Sequence, residues 1–270
     1  MKRTVLCLLL GAGLSGGAMA GTNGVVVSAR VYAHAESFEW KESLQGQHLL
    51  TEKGPLFGVG GDVDLALGKK WLLELGGDVF FGQVDYNGAV EQIDGSLTPL
   101  NTTTVYAGVD GAAKLALRVP LSPTVTLKPA AGIGVRAWSR SLDSSVTSQN
   151  IGPNGYDEYW LTTHGILGAT VEIATGPASK IFVEADLRLP LATWQSIDLS
   201  NVGGPGSVDL QPKGKVTVHA EAGWQYKKFF AAGFFETMKF SQSGLDPKYQ
   251  AYFQPDSDAR IIGAKAGVAF

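Results

Sequence analysis

The stretch Thr104–Val119, TVYAGVDGAAKLALRV, decides the fold, because its side chains change character with a period of two. Small and aliphatic residues take every odd position, while Tyr106, Asp110, Lys114 and Arg118 lie at even positions. Successive side chains of a β-strand point to opposite faces. The stretch therefore predicts a strand with one apolar and one polar face, far longer than the ~5 to 6 residues usual in soluble proteins.

The same alternation recurs along the chain and predicts ten strands. They are expected near residues 24–40, 56–68, 71–86, 103–119, 124–140, 159–175, 181–195, 214–227, 229–241 and 259–270. The connections alternate in length. Short turns fall at 68–70, 120–123, 176–179 and 227–228, and long loops at 41–55, 87–102, 141–158, 198–213 and 242–258. This asymmetry is typical of transmembrane barrels with short periplasmic turns and long external loops.

We therefore predict an all-β fold, a ten-stranded antiparallel up-and-down transmembrane β-barrel with five long extracellular loops. Hydrocarbon offers no water to unpaired N–H and C=O groups, so strands that cross it must close into a cylinder. A soluble secreted barrel is the alternative. It is disfavoured because charges on the apolar face occur only near strand ends, as at Asp85, Lys239 and Arg260.

The amino-terminal segment carries the features of a secretory signal peptide. A basic start precedes the apolar run Val5–Leu10, and Ala18-Met19-Ala20 provides a cleavage site, so we expect 1–20 to be removed and 21–270 to form one barrel domain. The single cysteine, Cys7, lies in this segment. We therefore expect a mature chain without disulfides or thiolate chemistry.

The last residues, Arg260–Phe270 (RIIGAKAGVAF), alternate in the same way and end on an aromatic side chain. They resemble the closing strand of Gram-negative outer-membrane β-barrels, in which a terminal aromatic residue is read during assembly. The resemblance implies an integral outer-membrane protein whose partners are outer-membrane lipid, periplasmic chaperones and the barrel-assembly machinery. The formal charge of −3, or −5 without Lys2 and Arg3, excludes the basic surface that nucleic acid requires.

The polar faces predict a lumen filled by charges of both signs. The lumen network is expected to include Arg30, His34, Glu36, Asp62, Asp64, Glu74, Asp78, Asp110, Arg136, His164, Glu184, Asp186, Arg188, His219, Glu221 and Lys265. Counting every inward position gives eleven acids and nine bases. About eight strands leave room only for side chains, so ten strands predict a narrow lumen closed by ion pairs. A cation-attracting acidic wall is the alternative.

Three inward histidines, His34, His164 and His219, are expected at a similar height in the barrel. Their strands are not neighbours, and no His-Glu-x-x-His spacing is present. The sequence therefore favours hydrogen-bonded histidines over a metal site, and we expect neither a metal nor a cofactor.

Aromatic residues are expected in two groups. Trp71, Trp224, Tyr226 and Phe270 take the outward face near the periplasmic ends, which predicts a membrane girdle. Trp40, Trp138, Trp160 and Trp194 take the inward face near the outer ends. They form either a mouth collar able to stack on a sugar or, after β-bulges, an outer girdle. The girdle is the favoured interpretation.

The strand count resembles the architecture of the omptin surface proteases and of ten-stranded neisserial-type adhesins. Omptins carry an Asp pair and an Asp–His pair at the rim, and Asp62-x-Asp64 and His219-x-Glu221 are superficially similar. Both pairs are expected below the rim, where a polypeptide substrate does not reach. We therefore expect a non-enzymatic envelope component whose loops bind a surface ligand. A small selective channel and an omptin-like protease are the alternatives.

Overall fold

The computed structural model describes residues 25–91, 97–144 and 155–270. Ten long strands are present: β1 (Val25–Leu44), β2 (Gln47–Ala66), β3 (Trp71–Glu91), β4 (Leu97–Leu117), β6 (Val125–Leu142), β7 (Asp157–Gly176), β8 (Ser179–Asp198), β11 (Thr217–Tyr226), β12 (Phe229–Ser241) and β13 (Asp256–Ala269). Three short strands, β5 (Val119–Pro120), β9 (Ser207–Leu210) and β10 (Lys213–Gly214), join their edges. The predicted signal peptide lies outside the described residues.

The sheet closes on itself. Each long strand pairs antiparallel with the long strands before and after it, and β1 pairs with both β2 and β13. The closing register runs from Arg30 opposite Ala269 to Ser43 opposite Asp256. Closure leaves no long strand with a free edge in the membrane. The predicted ten-stranded antiparallel up-and-down barrel is confirmed.

The outer wall is an apolar band. Val59, Val79 and Val109 are directly opposite one another on β2, β3 and β4, and roughly half of each side chain is exposed. Exposed aliphatic side chains in a continuous row match a surface that faces lipid. Toward the outer end the exposed positions become charged, as at Lys53 and Arg260, so the strands continue beyond the band.

The first predicted external loop, 41–55, is wrong. β1 and β2 continue through this region and meet at a two-residue turn, Gln45–Gly46, in which both residues have positive φ. The charged residues of this stretch, such as Lys41 and Lys53, belong instead to a hairpin that continues beyond the apolar band. Opposite charges there face water or the barrel interior, where they cause no lipid penalty.

Other external connections also contain more strand than expected. β3 and β4 extend to Glu91 and back from Leu97, and β9 pairs with β8 inside the predicted loop 198–213. The connection 242–255 contains no strand. At the opposite end all four connections are short, at 67–70, 121–124, 177–178 and 227–228, as predicted. Among the described residues, no helix has the length and apolarity needed to cross a membrane.

Candidate functional site

The inner half of the lumen contains one polar cavity of about 170 Å³. Its lining includes fifteen of the sixteen residues predicted for the lumen network: Arg30, His34, Glu36, Asp62, Asp64, Glu74, Asp78, Asp110, Arg136, Glu184, Asp186, Arg188, His219, Glu221 and Lys265. His164 lines a smaller neighbouring cavity. The alternation of the strands brings these side chains together from all around the barrel.

Two lysines hold the acidic inner wall together. Lys114 Nζ lies 2.7 Å from Glu184 Oε1, 3.5 Å from Asp186 and 3.7 Å from Glu74. Lys128 Nζ lies 3.1 Å from Glu74 Oε1 and also approaches Asp64 at 3.9 Å. Each ammonium therefore joins carboxylates from several strands, which is the arrangement that permits buried charge.

Two arginines share carboxylates one level further out. Arg136 Nη1 and Arg188 Nη1 lie 3.1 and 2.7 Å from the same oxygen of Glu236, and both approach Asp110. The Arg136 guanidinium also lies 4.5 Å from the ring centre of Phe80. Ion pairs fix both arginines in the lumen, and Arg136 also makes a cation–π contact.

The histidines lie beside carboxylates and not beside one another. His34 is between Glu36 and Asp78, at 3.6 and 3.7 Å, and His219 Nδ1 is 3.5 Å from Glu236. Within residues 25–91, 97–144 and 155–270, no three His, Cys, Asp or Glu side chains are arranged to hold a metal ion.

The cavity is more acidic than the sequence count indicated. All eleven expected acids line it, but only seven bases do, and Lys180 is one that the alternation had not assigned inward. Arg118, Arg140 and Lys215 are not part of its lining. Arg140 instead lies in a second layer, and Lys215 is half exposed at 3.6 Å from Asp256.

The outer layer of the lumen is centred on Arg140, which is surrounded by three carboxylates. Its guanidinium contacts Glu52 at 2.9 Å, Glu158 at 2.7 Å and Glu42 at 3.3 Å. The Thr104 hydroxyl donates to Glu52 at 2.8 Å, and the Tyr106 hydroxyl also donates to this carboxylate. All of these side chains are buried, so the cluster is a dry, hydrogen-bonded ion network.

Aromatic rings pack around this network. Trp138 and Trp160 stack with ring centres 5.3 Å apart, and Trp40 and Phe240 contact both. The indole N–H groups of Trp40 and Trp160 donate to Glu42 and Glu158 at 2.9 and 3.0 Å. These rings are buried in the lumen, so the favoured outer-girdle interpretation is wrong for Trp40, Trp138 and Trp160.

Trp194 is the exception, with 46% of its surface exposed on the outer wall. The register between β7 and β8 shifts between Thr163 and His164, because Thr163 is opposite Ala192 whereas His164 is opposite Pro190. The extra residue, Leu191, reverses the faces of β8 beyond it. The predicted mouth collar of four tryptophans is therefore divided, with Trp194 facing away from the lumen.

The girdle residues predicted at the periplasmic end lie on the outer wall. Trp71, Trp224, Tyr226 and Phe270 are each at least 44% exposed. Trp224 and Tyr226 stack with ring centres 5.8 Å apart, and the Trp224 indole donates to the Ser179 hydroxyl at 2.9 Å. Apolar rings with polar edges suit a membrane–water boundary.

The connection 242–255 folds over the outer end of the barrel. Gln254 accepts a 2.6 Å hydrogen bond from the Gln195 amide inside the barrel, and its backbone N–H donates to the Ser243 hydroxyl. The Tyr249 hydroxyl donates to the Pro205 carbonyl at 3.1 Å, which joins this connection to the one between β8 and β9. These hydrogen bonds join the connection to the barrel interior and to the neighbouring external connection.

A groove of about 820 Å³ lies between this segment and the outer parts of β7, β8 and β9, and most of its lining residues are exposed or partly exposed. Its lining comprises Tyr159, Trp160, Leu161, Trp194, Gln195, Ser196, Asp209, Leu210, Gln211, Gly244, Leu245 and Pro247. The strands β7, β8 and β9 form one wall and the segment 244–247 forms the other. No sequence signal places these two walls together, because the second one comes from an irregular connection.

The residues missed by sequence reasoning are those of the outer layer that fell in expected loops: Glu42, Glu52, Glu158 and Gln254. One signal was available. Trp40-x-Glu42 and Glu158-x-Trp160 place an indole and a carboxylate on the same face of a strand, two residues apart, where they hydrogen-bond.

The fold is similar to solved outer-membrane proteins. The outer membrane protease OmpT from Escherichia coli matches with a TM-score of 0.63 and 10% sequence identity, over 94% of this chain and 99% of that chain. The transport unit of the autotransporter AIDA-I from Escherichia coli matches with a TM-score of 0.45 and 12% identity, over 89% and 90%. A major outer membrane protein from Thermus thermophilus matches with a TM-score of 0.41 and 12% identity, over 90% and 99%.

No protein-family model matches the sequence, and no curated protein matches it significantly. The class is defined by the closed barrel and its apolar outer wall. This chain is an integral outer-membrane β-barrel protein.

Proposed function

We propose that this protein is a non-conducting, non-enzymatic component of the outer membrane, whose rigid barrel supports external surfaces that bind a ligand. The observation that carries the proposal is the outer layer of the lumen. Side chains from six strands meet there, on β1, β2, β4, β6, β7 and β12, and the central ones, Arg140, Glu52 and Glu158, are at most 2% exposed.

Steady conduction needs a continuous path of water through the lumen. Within the residues that the structure describes, the buried side chains of the outer layer contact one another, which supports a lumen without such a path. Moving them apart would separate Arg140 from its carboxylates in a dry environment, which is strongly unfavourable. A selective channel therefore agrees poorly with this arrangement.

Planar-bilayer recording tests the proposal. The wild-type protein is expected to give no steady current above the leak of the bilayer. A variant with Trp40→Ala, Trp138→Ala and Trp160→Ala is expected to admit ions, because it removes the three indole rings that pack around the ion network. The matched control carries Trp71→Ala and Trp224→Ala on the outer wall and is expected to remain silent. Steady wild-type currents would overturn the proposal whether or not the lumen variant folds.

Surface proteolysis is the second candidate, favoured by the likeness of the fold to OmpT. The residues considered for it, Asp62 and His219, are engaged beneath the outer layer, with Arg30 at 3.0 Å and Glu236 at 3.5 Å respectively. Cleavage of fluorogenic peptides by the purified barrel is the test. Turnover that disappears with His219→Ala or Asp62→Asn would establish the enzyme and reject the non-enzymatic role.

A further inference from the structure

We infer that the external groove between the β7–β8–β9 wall and the segment 244–247 binds an uncharged saccharide. The inference names the ligand class for the ligand-binding surface proposed above and rests on that role. It does not depend on closure of the lumen, because the groups argued to bind the ligand, Tyr159, Trp194 and Asp209, are exposed on the outward face of the sheet.

The wall offers two exposed rings for stacking. Tyr159 is 55% exposed and Trp194 is 46% exposed. They lie on adjacent strands, with Leu161 directly opposite Trp194 and Ser196 directly opposite Tyr159, so the rings are diagonal neighbours on one face. Such a platform suits the apolar face of a pyranose ring, which needs a flat aromatic surface and no charge.

Hydrogen-bonding groups border the rings. Ser196 is opposite Tyr159 on one side and opposite Asp209 on the other. A ring, a hydroxyl and a carboxylate therefore form one row across β7, β8 and β9. The Ser196 hydroxyl lies 2.9 Å from that of Ser207. Within the part of the chain that the structure describes, neither the Asp209 carboxylate nor the Gln211 amide bonds to another protein group. Hydroxyl, carboxylate and amide groups together can both donate to and accept from sugar hydroxyls.

The charge of the groove limits which classes of ligand can bind there. Among the lining residues that the structure describes, none is Lys, Arg or His, and Asp209 is the one carboxylic acid. Phosphate and carboxylate groups bind arginine and lysine, so an anionic ligand has no partner here. A lipid acyl chain would bury the Asp209 carboxylate against hydrocarbon without a compensating hydrogen bond. A neutral saccharide can stack on the rings and donate hydroxyl hydrogen bonds to the Asp209 carboxylate.

The opposite wall is held in shape without a ligand. The Asp246 carboxylate accepts hydrogen bonds from the backbone N–H groups of Lys248 and Tyr249, at 2.9 and 2.7 Å. On the neighbouring connection, the Ser200 backbone N–H donates to the Asp198 carboxylate at 3.0 Å. A groove that is already formed loses little conformational entropy when it binds.

Saturation-transfer NMR and calorimetry with the full barrel in detergent test the inference. The probes are the neutral oligosaccharides maltoheptaose, cellohexaose, mannohexaose and chitohexaose. At least one is expected to bind saturably. Trp194→Ala is expected to weaken that binding about tenfold, because it removes the larger ring, and Trp194→Phe is expected to restore most of it.

The matched control is Trp71→Ala, at the other end of the outer wall. Trp71 and Trp194 are equally exposed, at 46%, so a general effect of losing a surface indole would appear in both variants. Asp209→Asn should weaken binding less than Trp194→Ala does. Binding of none of the four probes, equal loss in Trp71→Ala and Trp194→Ala, or competition by alkyl chains or peptides but not by sugars would each overturn the inference.

Bilayer recordings on the same preparations separate the two proposals. If the protein gives no current and binds no saccharide, the saccharide-binding inference is rejected and the closed lumen is not. Steady currents with saccharide binding would reject lumen closure and leave the groove in place.

Discussion

At the scale of single residues, the lumen is organised around groups that tolerate no loss of their partner. Arg140 is the clearest case, since one guanidinium faces three buried carboxylates. A buried ion network stabilises little in total, because desolvation offsets much of the attraction. Removing the Arg140 cation destabilises the folded state much more, because the three carboxylates then lie buried beside one another without a positive charge.

We therefore expect Arg140→Met to destabilise the barrel by about 3 to 5 kcal/mol. Urea unfolding in phospholipid vesicles, followed by tryptophan fluorescence, measures the change. Arg260→Met is the matched control, because Arg260 is exposed on the outer wall, and its effect should stay within about 0.5 kcal/mol. Equal stability of the two variants would contradict the account of the outer layer.

Close packing inside the lumen also depends on single glycines. Gly58 is opposite His34 on the neighbouring strand, and a Cβ atom there would overlap His34 Nε2 and the Val79 carbonyl oxygen. Gly58→Ala is expected to cost about 1 to 3 kcal/mol through overpacking. Gly233→Ala is the control, because the nearest atom to its added Cβ is 3.8 Å away. Equal unfolding midpoints for the two variants would show that the lumen is looser than described.

At the scale of elements, alternation predicted much of the wall. The apolar face of Thr104–Val119 and of its neighbours was readable because lipid selects aliphatic side chains at every second position. The outer parts of β1 and β2 were not readable as strands, since Lys41, Glu42, Glu52 and Lys53 have the composition of a loop. Outside the membrane a strand carries charge without penalty, so composition no longer distinguishes strand from loop there.

The β1–β2 turn gives a prediction at this scale. Gln45 and Gly46 both have positive φ, which matches the mirror-image turns of tight hairpins and favours Asn-Gly. Gln45→Asn should raise stability by about 0.5 kcal/mol, and Gln45→Val should lower it by about 1 kcal/mol or more. Gln47→Val, within strand β2, is the control and should change little. A stabilising Gln45→Val would show that the turn has another shape. Urea unfolding measures all three.

A register shift is the second feature at this scale. The favoured interpretation of the outer tryptophans required β-bulges near the rim, and the structure has one in β8, before Trp194. Trp194 has the same expected parity as Trp160, yet the extra residue in β8 places it on the opposite face. Pro190 is a mark of the shift, since proline inside a paired strand is confined to edges and bulges, but alternation does not reveal it because both faces of residues 186–198 include apolar side chains. The candidate saccharide groove exists only because of that shift, and no period-two reading of the sequence could find it.

At the scale of the whole molecule, two layers of side chains lie in the lumen. The inner layer is acidic and contains a cavity, and the outer layer is dry and aromatic. The sequence predicted the first from its inward charges but placed most of the second in loops or on the outer wall. Both layers depend on one assignment, in which aliphatic rows face lipid and ionisable rows face the lumen.

Spin-label accessibility along β3 tests that assignment most directly. Single cysteines replace Asp78, Val79 and Phe81 in turn in the mature chain, which is expected to lack cysteine, and each carries a nitroxide in lipid vesicles. Labels at 79 and 81 should collide often with oxygen dissolved in the bilayer, whereas the label at 78 should be shielded from it. Equal oxygen access at 78 and 79, or the reverse alternation, would contradict the membrane barrel described here.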